Sequence, residues 1–302
     1  GEFEFIDRSN SDYPEGFDSY YSIAQWEYPN RILQAAWWAS VQDYSIGLIQ
    51  LNSFGCGPDS FIMDEINNLA KHTDMSFALV RIDEISSPGS IKLRLRSLVE
   101  SLKLKAQKKP VTNNPQKNDH ELAIFDIADK DRTILIPWFS DFYSPFVPII
   151  GKFAGYNIEN LPPSDKHSVD LGLEHANNEV CYPATLVVGD IIRALKSNKY
   201  DRNKIAIGIT QTGGQCRATN YLALIKRAMI NEGYKNIPIV SIAPSSNLSN
   251  NQPGFTPKWN KIIQPTFLAL IFVDCLSRMY YATASREIDG KASKHLKEKY
   301  ID

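Results

Sequence analysis

Short apolar runs that end in glycine- or proline-marked turns alternate along this chain with stretches whose apolar residues recur every three to four positions. Residues 46–51 form such a run, and Ser53-Phe54-Gly55-Cys56-Gly57-Pro58-Asp59 reads as the turn that follows. Ile62, Ile66 and Leu69 then mark one face of a helix over 61–69. A strand over 77–82 comes next, and Ile91, Leu95, Leu98 and Leu102 mark another amphipathic helix. Strand, turn, helix, strand, helix is the order that builds a parallel sheet covered by helices, so the expected fold class is α/β.

Residues 103–119 are rich in Lys, Asn, Gln and Pro and read as a linker or loop with solvated lysines. Beyond it the alternation resumes, with strands at 133–137, near Ile158, at 205–210 and at 237–242, and helices at 145–153, 184–195 and 218–232. Gly233 stands where the last of these helices should end. Residues 246–257 read as a long polar loop and 265–284 as a C-terminal helical segment. Ahead of the first strand, an aromatic and acidic stretch holds one helix around 31–41 with Trp37 and Trp38. The chain therefore divides into an N-terminal segment, 1–44, a first α/β subdomain, 45–118, and a second, 119–302, with the C-terminal helices.

At 302 residues the chain is long enough for two domains at roughly 150 residues each. With 43% hydrophobic and 22% charged residues its composition is that of a folded globular protein rather than a disordered one. Lys plus Arg total 33 against 34 Asp plus Glu, so no net positive field attracts nucleic acid or anionic lipid. No uninterrupted apolar stretch reaches the ~18 residues of a spanning helix, and no basic-then-apolar leader opens the chain. A cytosolic location and no membrane partner are the expectations. The chain opens Gly1-Glu2-Phe3 without Met and reads as a piece of a longer protein.

Three of the four cysteines share a context. Cys56 and Cys216, the latter in Thr212-Gly213-Gly214-Gln215-Cys216-Arg217, each stand between a strand and a helix. Cys181, in Asn178-Glu179-Val180-Cys181-Tyr182-Pro183, precedes a helix that Pro183 can open. Helix N-termini stabilise negative charge and favour thiolate, the form that binds metal or attacks an electrophile. Gly55, Gly57, Gly213 and Gly214 either serve tight turns or let backbone amides approach an anion or cluster. The separations, 125 residues from Cys56 to Cys181 and 35 more to Cys216, exclude a local finger-type clip.

If the three converge, a cubane iron–sulfur cluster with one iron left for a non-cysteine ligand fits better than zinc, which usually takes four protein ligands. Burial as small apolar side chains is the competing reading for each of them. Cys275, mid-helix, reads as core packing. Arg217 would offset cluster charge or grip a phosphate, or else form a salt bridge. Asp59 reads as a helix cap, Asp83 and Glu84 as structural, Glu179 as a proton-handling candidate beside Cys181, and His175 as a surface or supporting group.

Together the turn 53–59, Ile82-Asp83-Glu84 with Ile91-Lys92-Leu93-Arg94, Asn178-Glu179-Val180-Cys181-Tyr182-Pro183-Ala184, and Gly213-Gly214-Gln215-Cys216-Arg217-Ala218-Thr219-Asn220-Tyr221 resemble the acyl-CoA dehydratase activase-related proteins. Those proteins carry a region similar to the iron–sulfur subunits of 2-hydroxyacyl-CoA dehydratases. The likeness runs from about Ile46 to Ile242. It implies two doubly wound, flavodoxin- or Rossmann-like parallel-sheet subdomains and a [4Fe-4S] cluster held by Cys56, Cys181 and Cys216, with one iron open. It also implies low-potential electron transfer or dehydratase-like chemistry on a CoA thioester, an ATP-dependent activator as partner, and an acyl-CoA and a second copy of the chain as further candidate partners. No G-x-x-x-x-G-K-[ST] phosphate loop is present, so ATP hydrolysis is not expected in this chain. Gln215 replaces an expected Pro. The competing function is a non-catalytic α/β binding module without a cluster, and structural zinc is a third reading.

Overall fold

The computed structural model describes residues 27–42, 46–52, 59–82, 87–107, 122–176, 180–211, 221–242, 250–288 and 290–301. Over these residues the chain is mixed α/β, with two parallel sheets. It divides into two compact units, and the division is discontinuous in sequence. The first unit comprises Gly1–His120, Ala176–Ala184 and Thr212–Leu224; the second comprises Glu121–His175, Thr185–Gln211 and Ile225–Asp302. The sequence reading placed the boundary between the two α/β subdomains at 118–119.

In the first unit α1 (Glu27–Ser40) and α2 (Asp59–Thr73) pack together beside a two-stranded sheet of β1 (Gly47–Asn52) and β2 (Ser76–Arg81). The strands run parallel, Gly47 opposite Ser76 and Asn52 opposite Arg81. Ile62, Ile66 and Leu69 are all buried, as their spacing predicts, in one cluster with Leu33, Trp37 and Met75. Helix α3 (Pro88–Ala106) packs on β2 and carries Leu98 and Leu102 up to Gly47.

Strand β1 departs from the expectation of a buried apolar run. Gln50 and Asn52 are buried, whereas Ile49 is 44% and Leu51 61% exposed. Successive side chains alternate between the faces of a strand. The register that sends Leu48 into the cluster therefore also turns Gln50 and Asn52 inward.

In the second unit β3 (Thr133–Ile136), β4 (Asn157–Asn160), β5 (Ile205–Thr210) and β6 (Ile239–Ile242) form an all-parallel sheet in the order β4-β3-β5-β6. Helices α4 (Val147–Ala154), α5 (Lys166–His175), α6 (Tyr182–Lys196) and α7 (Tyr221–Asn231) alternate with the strands. Residues Ile205 to Ile209 of β5 are buried throughout, the signature of a strand covered on both faces. The helix end expected at Gly233 is present. Gly233 has φ +79°, its N–H donates to Ile230 O at 3.0 Å, and Tyr234 N–H reaches Met229 O at 2.8 Å. Connections leave β3 and β5 toward opposite edges, so a topological switch point lies between these strands at their carboxyl ends.

The C-terminal region is two helices, α8 (Trp259–Ala284) and α9 (Ala292–Ile301). Helix α8 begins six residues before the expected start and holds Pro265 within it. By length and composition it is apolar enough to cross a membrane. Lys261, Gln264 and Asp274 interrupt its apolar run, which is why a search for uninterrupted stretches passes over it. Its one buried residue is Val273, while Phe272 and Tyr280 meet the rings of Phe146 and Phe142.

Candidate functional site

Cys181 heads α6. Val180 before it is buried, and the first helical turn closes with Ala184 N–H donating to Cys181 O at 2.9 Å. Pro183 occupies that first turn, where its missing N–H costs nothing. The thiol is free and half-buried. Its Sγ lies 3.2 Å from the hydroxyl oxygen of Tyr221, the first residue of α7. Tyr221 is 8% exposed. The sulfur thus stands one residue ahead of α6, beside the hydroxyl of Tyr221.

Gly55, Cys56 and Gly57 fall in 53–58, and Gly213, Gly214, Cys216 and Arg217 in 212–220; these residues, with Asp83, Glu84 and Glu179, lie outside the described ones, as does the side chain of Asp59. What flanks them is as expected: β1 ends at Asn52 and α2 begins at Asp59, while β5 ends at Thr210 and α7 begins at Tyr221. Both stretches therefore lie between a parallel strand and a helix. The first unit draws on three stretches of chain, and each contains one of Cys56, Cys181 and Cys216.

On β1, the strand leading to Cys56, Asn52 donates through Nδ2 to Met63 Sδ at 3.3 Å. Gln50 is 4% exposed, and among the described residues neither its amide nitrogen nor its amide oxygen has a hydrogen-bond partner. An orphaned buried amide costs about 1–3 kcal/mol. Gln50 and the half-buried Cys181 thiol belong to the same unit.

Comparisons with protein-family models, with curated proteins and with solved structures give no match to this chain.

His175 sits elsewhere, at the end of α5 in the second unit. Its Nε2 is 3.0 Å from Glu232 Oε1, and Lys196 Nζ is 2.8 Å from that same oxygen. Among the described residues, Glu174, His175 and Glu232 bring three ligand atoms within 4.8 Å of one another. The Lys196 ammonium already fills the cation's role at Glu232, and its hydrogen bond holds that carboxyl below its usual range. The cluster is an ion-pair network joining the ends of α5, α6 and α7.

Cys275 corrects the sequence reading: it is exposed on α8, not packed in a core. Only Val273 of this helix is buried, so a mid-helix position does not ensure burial here. Tyr221 is the site residue that sequence reasoning did not single out. It is the first residue of α7, five positions beyond Cys216 in the sequence.

Proposed function

We propose that this chain is the iron–sulfur module of an acyl-CoA dehydratase activase-related protein, with Cys56, Cys181 and Cys216 as ligands of a [4Fe-4S] cluster. The observation that carries the reading is the make-up of the first unit, whose three separate stretches each supply one of these cysteines. The free thiol of Cys181 at the head of α6 supports it from chemistry. Bound there, such a cluster would supply one-electron chemistry at low potential and an open iron acting as a Lewis acid toward a CoA thioester.

The chain's own part is to hold, orient and tune. Cys181 presents its sulfur at a helix N-terminus, where negative charge is stabilised. Gly55, Gly57, Gly213 and Gly214 let backbone amides approach, and Arg217 offsets charge. The two units correspond in this reading to doubly wound subdomains. The electron comes from an ATP-dependent activator, since this chain carries no phosphate loop of its own.

Oxygen-free purification followed by iron and sulfide quantification tests the proposal. Brown protein with a broad visible band, lost in Cys56→Ser, Cys181→Ser and Cys216→Ser, is the expected result. Colourless wild-type protein without iron would refute it and favour a binding module.

A further inference from the structure

We infer that α8, with the basic residues at its ends and in α9, lies on the surface of a bilayer that carries anionic lipid. Ile262, Thr266, Ala269, Val273, Leu276 and Tyr280, three and four residues apart, are the buried and half-buried stripe of this helix. That stripe occupies one side. The other sides hold Ile263, Phe267, Leu268, Leu270 and Ile271, each between 46% and 64% exposed. Over residues 262–273 only Gln264 and Thr266 are polar, and a helix apolar on all sides is enclosed by protein or by lipid. The most apolar window of α8 has a mean hydropathy of 1.5 and is 6% buried, so the second unit does not enclose it. On the neighbouring α4, Ile149 and Phe153 are half exposed as well. Trp259 and Tyr281 stand exposed near the two ends of α8, and these are the residue types that settle at the boundary of headgroups and acyl chains.

Charge selects the partner. Residues 258–302 carry eight Lys and Arg against five Asp and Glu, net +3; the whole chain is −1, so residues 1–257 are net −4. The near-neutral total hides this division. Lys258, Lys261, Arg278 and Arg286 are exposed, whereas Asp274 accepts from the Tyr143 hydroxyl at 3.1 Å and Glu287 from Ser293 N–H at 2.7 Å. A second copy of the chain would set net +3 against net +3. An anionic bilayer offers an apolar layer for the exposed side chains and negative headgroups for the cations, whose long stems reach up to them. Phe272 on Phe146 and Tyr280 on Phe142 keep α8 fastened to its unit, so it lies along the interface and does not cross.

Vesicle sedimentation of the full chain tests this, with vesicles of phosphatidylcholine and phosphatidylserine beside vesicles of phosphatidylcholine alone. Binding is expected to the mixed vesicles and should weaken as salt rises. Phe267→Ser combined with Ile271→Ser, both at exposed positions, and separately Lys258→Gln combined with Lys261→Gln, should each weaken it on the order of tenfold. A second measurement leaves those side chains in place: brominated lipid should quench the fluorescence of Trp259, and this quenching should be absent in Trp259→Phe. Iron content does not enter either result, so the test is separate from that of the cluster. No binding to the mixed vesicles, equal binding to both kinds, or binding that the Phe267 and Ile271 changes leave intact overturns the inference. Quenching unchanged in Trp259→Phe does so too. Self-association of the chain in place of vesicle binding also overturns it and makes a second copy the occupant of this face.

Discussion

Gly189 of α6 lies so close to Ser168 of α5 that a Cβ built on it would sit 1.7 Å from the Ser168 carbonyl oxygen. The relation is reciprocal, because a Cβ on Gly172 of α5 would sit 2.0 Å from the Thr185 carbonyl oxygen of α6. The pairs Ser168 with Gly172 and Thr185 with Gly189 are each four residues apart, one helical turn, so the two backbones meet along a stripe of small residues. Alanine at either glycine gains about 1 kcal/mol of helix propensity. The clash is with backbone, which cannot swing away, and its cost of about 3 kcal/mol or more outweighs that gain. Urea denaturation of Gly189→Ala and Gly172→Ala should show both destabilised; midpoints at or above wild type would mean that the helices part without penalty.

Tyr156 makes two hydrogen bonds through one oxygen, donating to Gly254 O at 3.0 Å and accepting from Thr256 N–H at 2.7 Å. Its ring lies 4.8 Å from Phe255 and 6.4 Å from Phe125, which is wholly buried. Tyr156→Phe keeps the rings and orphans two backbone groups, at a cost of about 1–3 kcal/mol. Phe125→Ala opens a cavity and should cost more, about 3–5 kcal/mol. Thermal melts that reverse this order would show that the hydroxyl, rather than the ring packing, fastens 254–256 to the sheet.

What could be read from the sequence was what local chemistry determines. Ile62, Ile66 and Leu69 share a face because four residues make a turn, and Gly233 ends α7 because a positive φ suits a residue without Cβ. Helix α5 escaped notice because Val169, Leu171 and Leu173 alternate as a strand would. Its start was nevertheless written in the reciprocal cap in which Ser168 N–H donates to Asp165 Oδ1 at 2.9 Å and Asp165 N–H to Ser168 Oγ at 3.3 Å. Helix α9 carries Leu296, Tyr300 and Ile301 among lysines, too few apolar residues for a periodic signal. At the candidate site, Pro183 announced the helix behind Cys181. The Tyr221 contact spans 40 residues and depends on how the chain folds back, which no local pattern encodes.

Two carboxylates of the second unit should give opposite pH slopes. Asp190 is 1% exposed, with Ser164 Oγ donating to its Oδ2 at 2.7 Å and Arg193 at 3.6 Å from Oδ1. Burial pushes its carboxyl up from the usual range, against the pull of Ser164, Ser168 and Arg193. The folded state then holds a proton that the unfolded chain has released, so this group's contribution falls as pH rises through its raised value. Glu232 is the reverse. Lys196 holds its carboxyl below the ordinary value, so its contribution is present above the unfolded range and is lost as pH falls through the lowered one. Relative to wild type, Asp190→Asn should gain stability as pH is raised from the acid limb toward neutrality. Glu232→Gln should lose stability over the same interval, by about 1 kcal/mol or less for a pair this close to solvent. Parallel slopes in urea midpoints measured across the carboxylate range would sink the assignment.

Cys275 and Cys181 make a matched pair for the cluster proposal, because both are free thiols and they belong to different units. Cys275 stands exposed on α8, away from any helix start, while Cys181 precedes the first turn of α6 with Tyr221 beside it. Serine at either position changes one atom. If thiolate ligation depends on position and not merely on cysteine count, Cys275→Ser should keep wild-type iron and sulfide after oxygen-free purification, and Cys181→Ser should lose them. Loss of iron from the Cys275 variant alone would move the ligand set to the C-terminal helix. Equal retention in both variants would remove Cys181 from it.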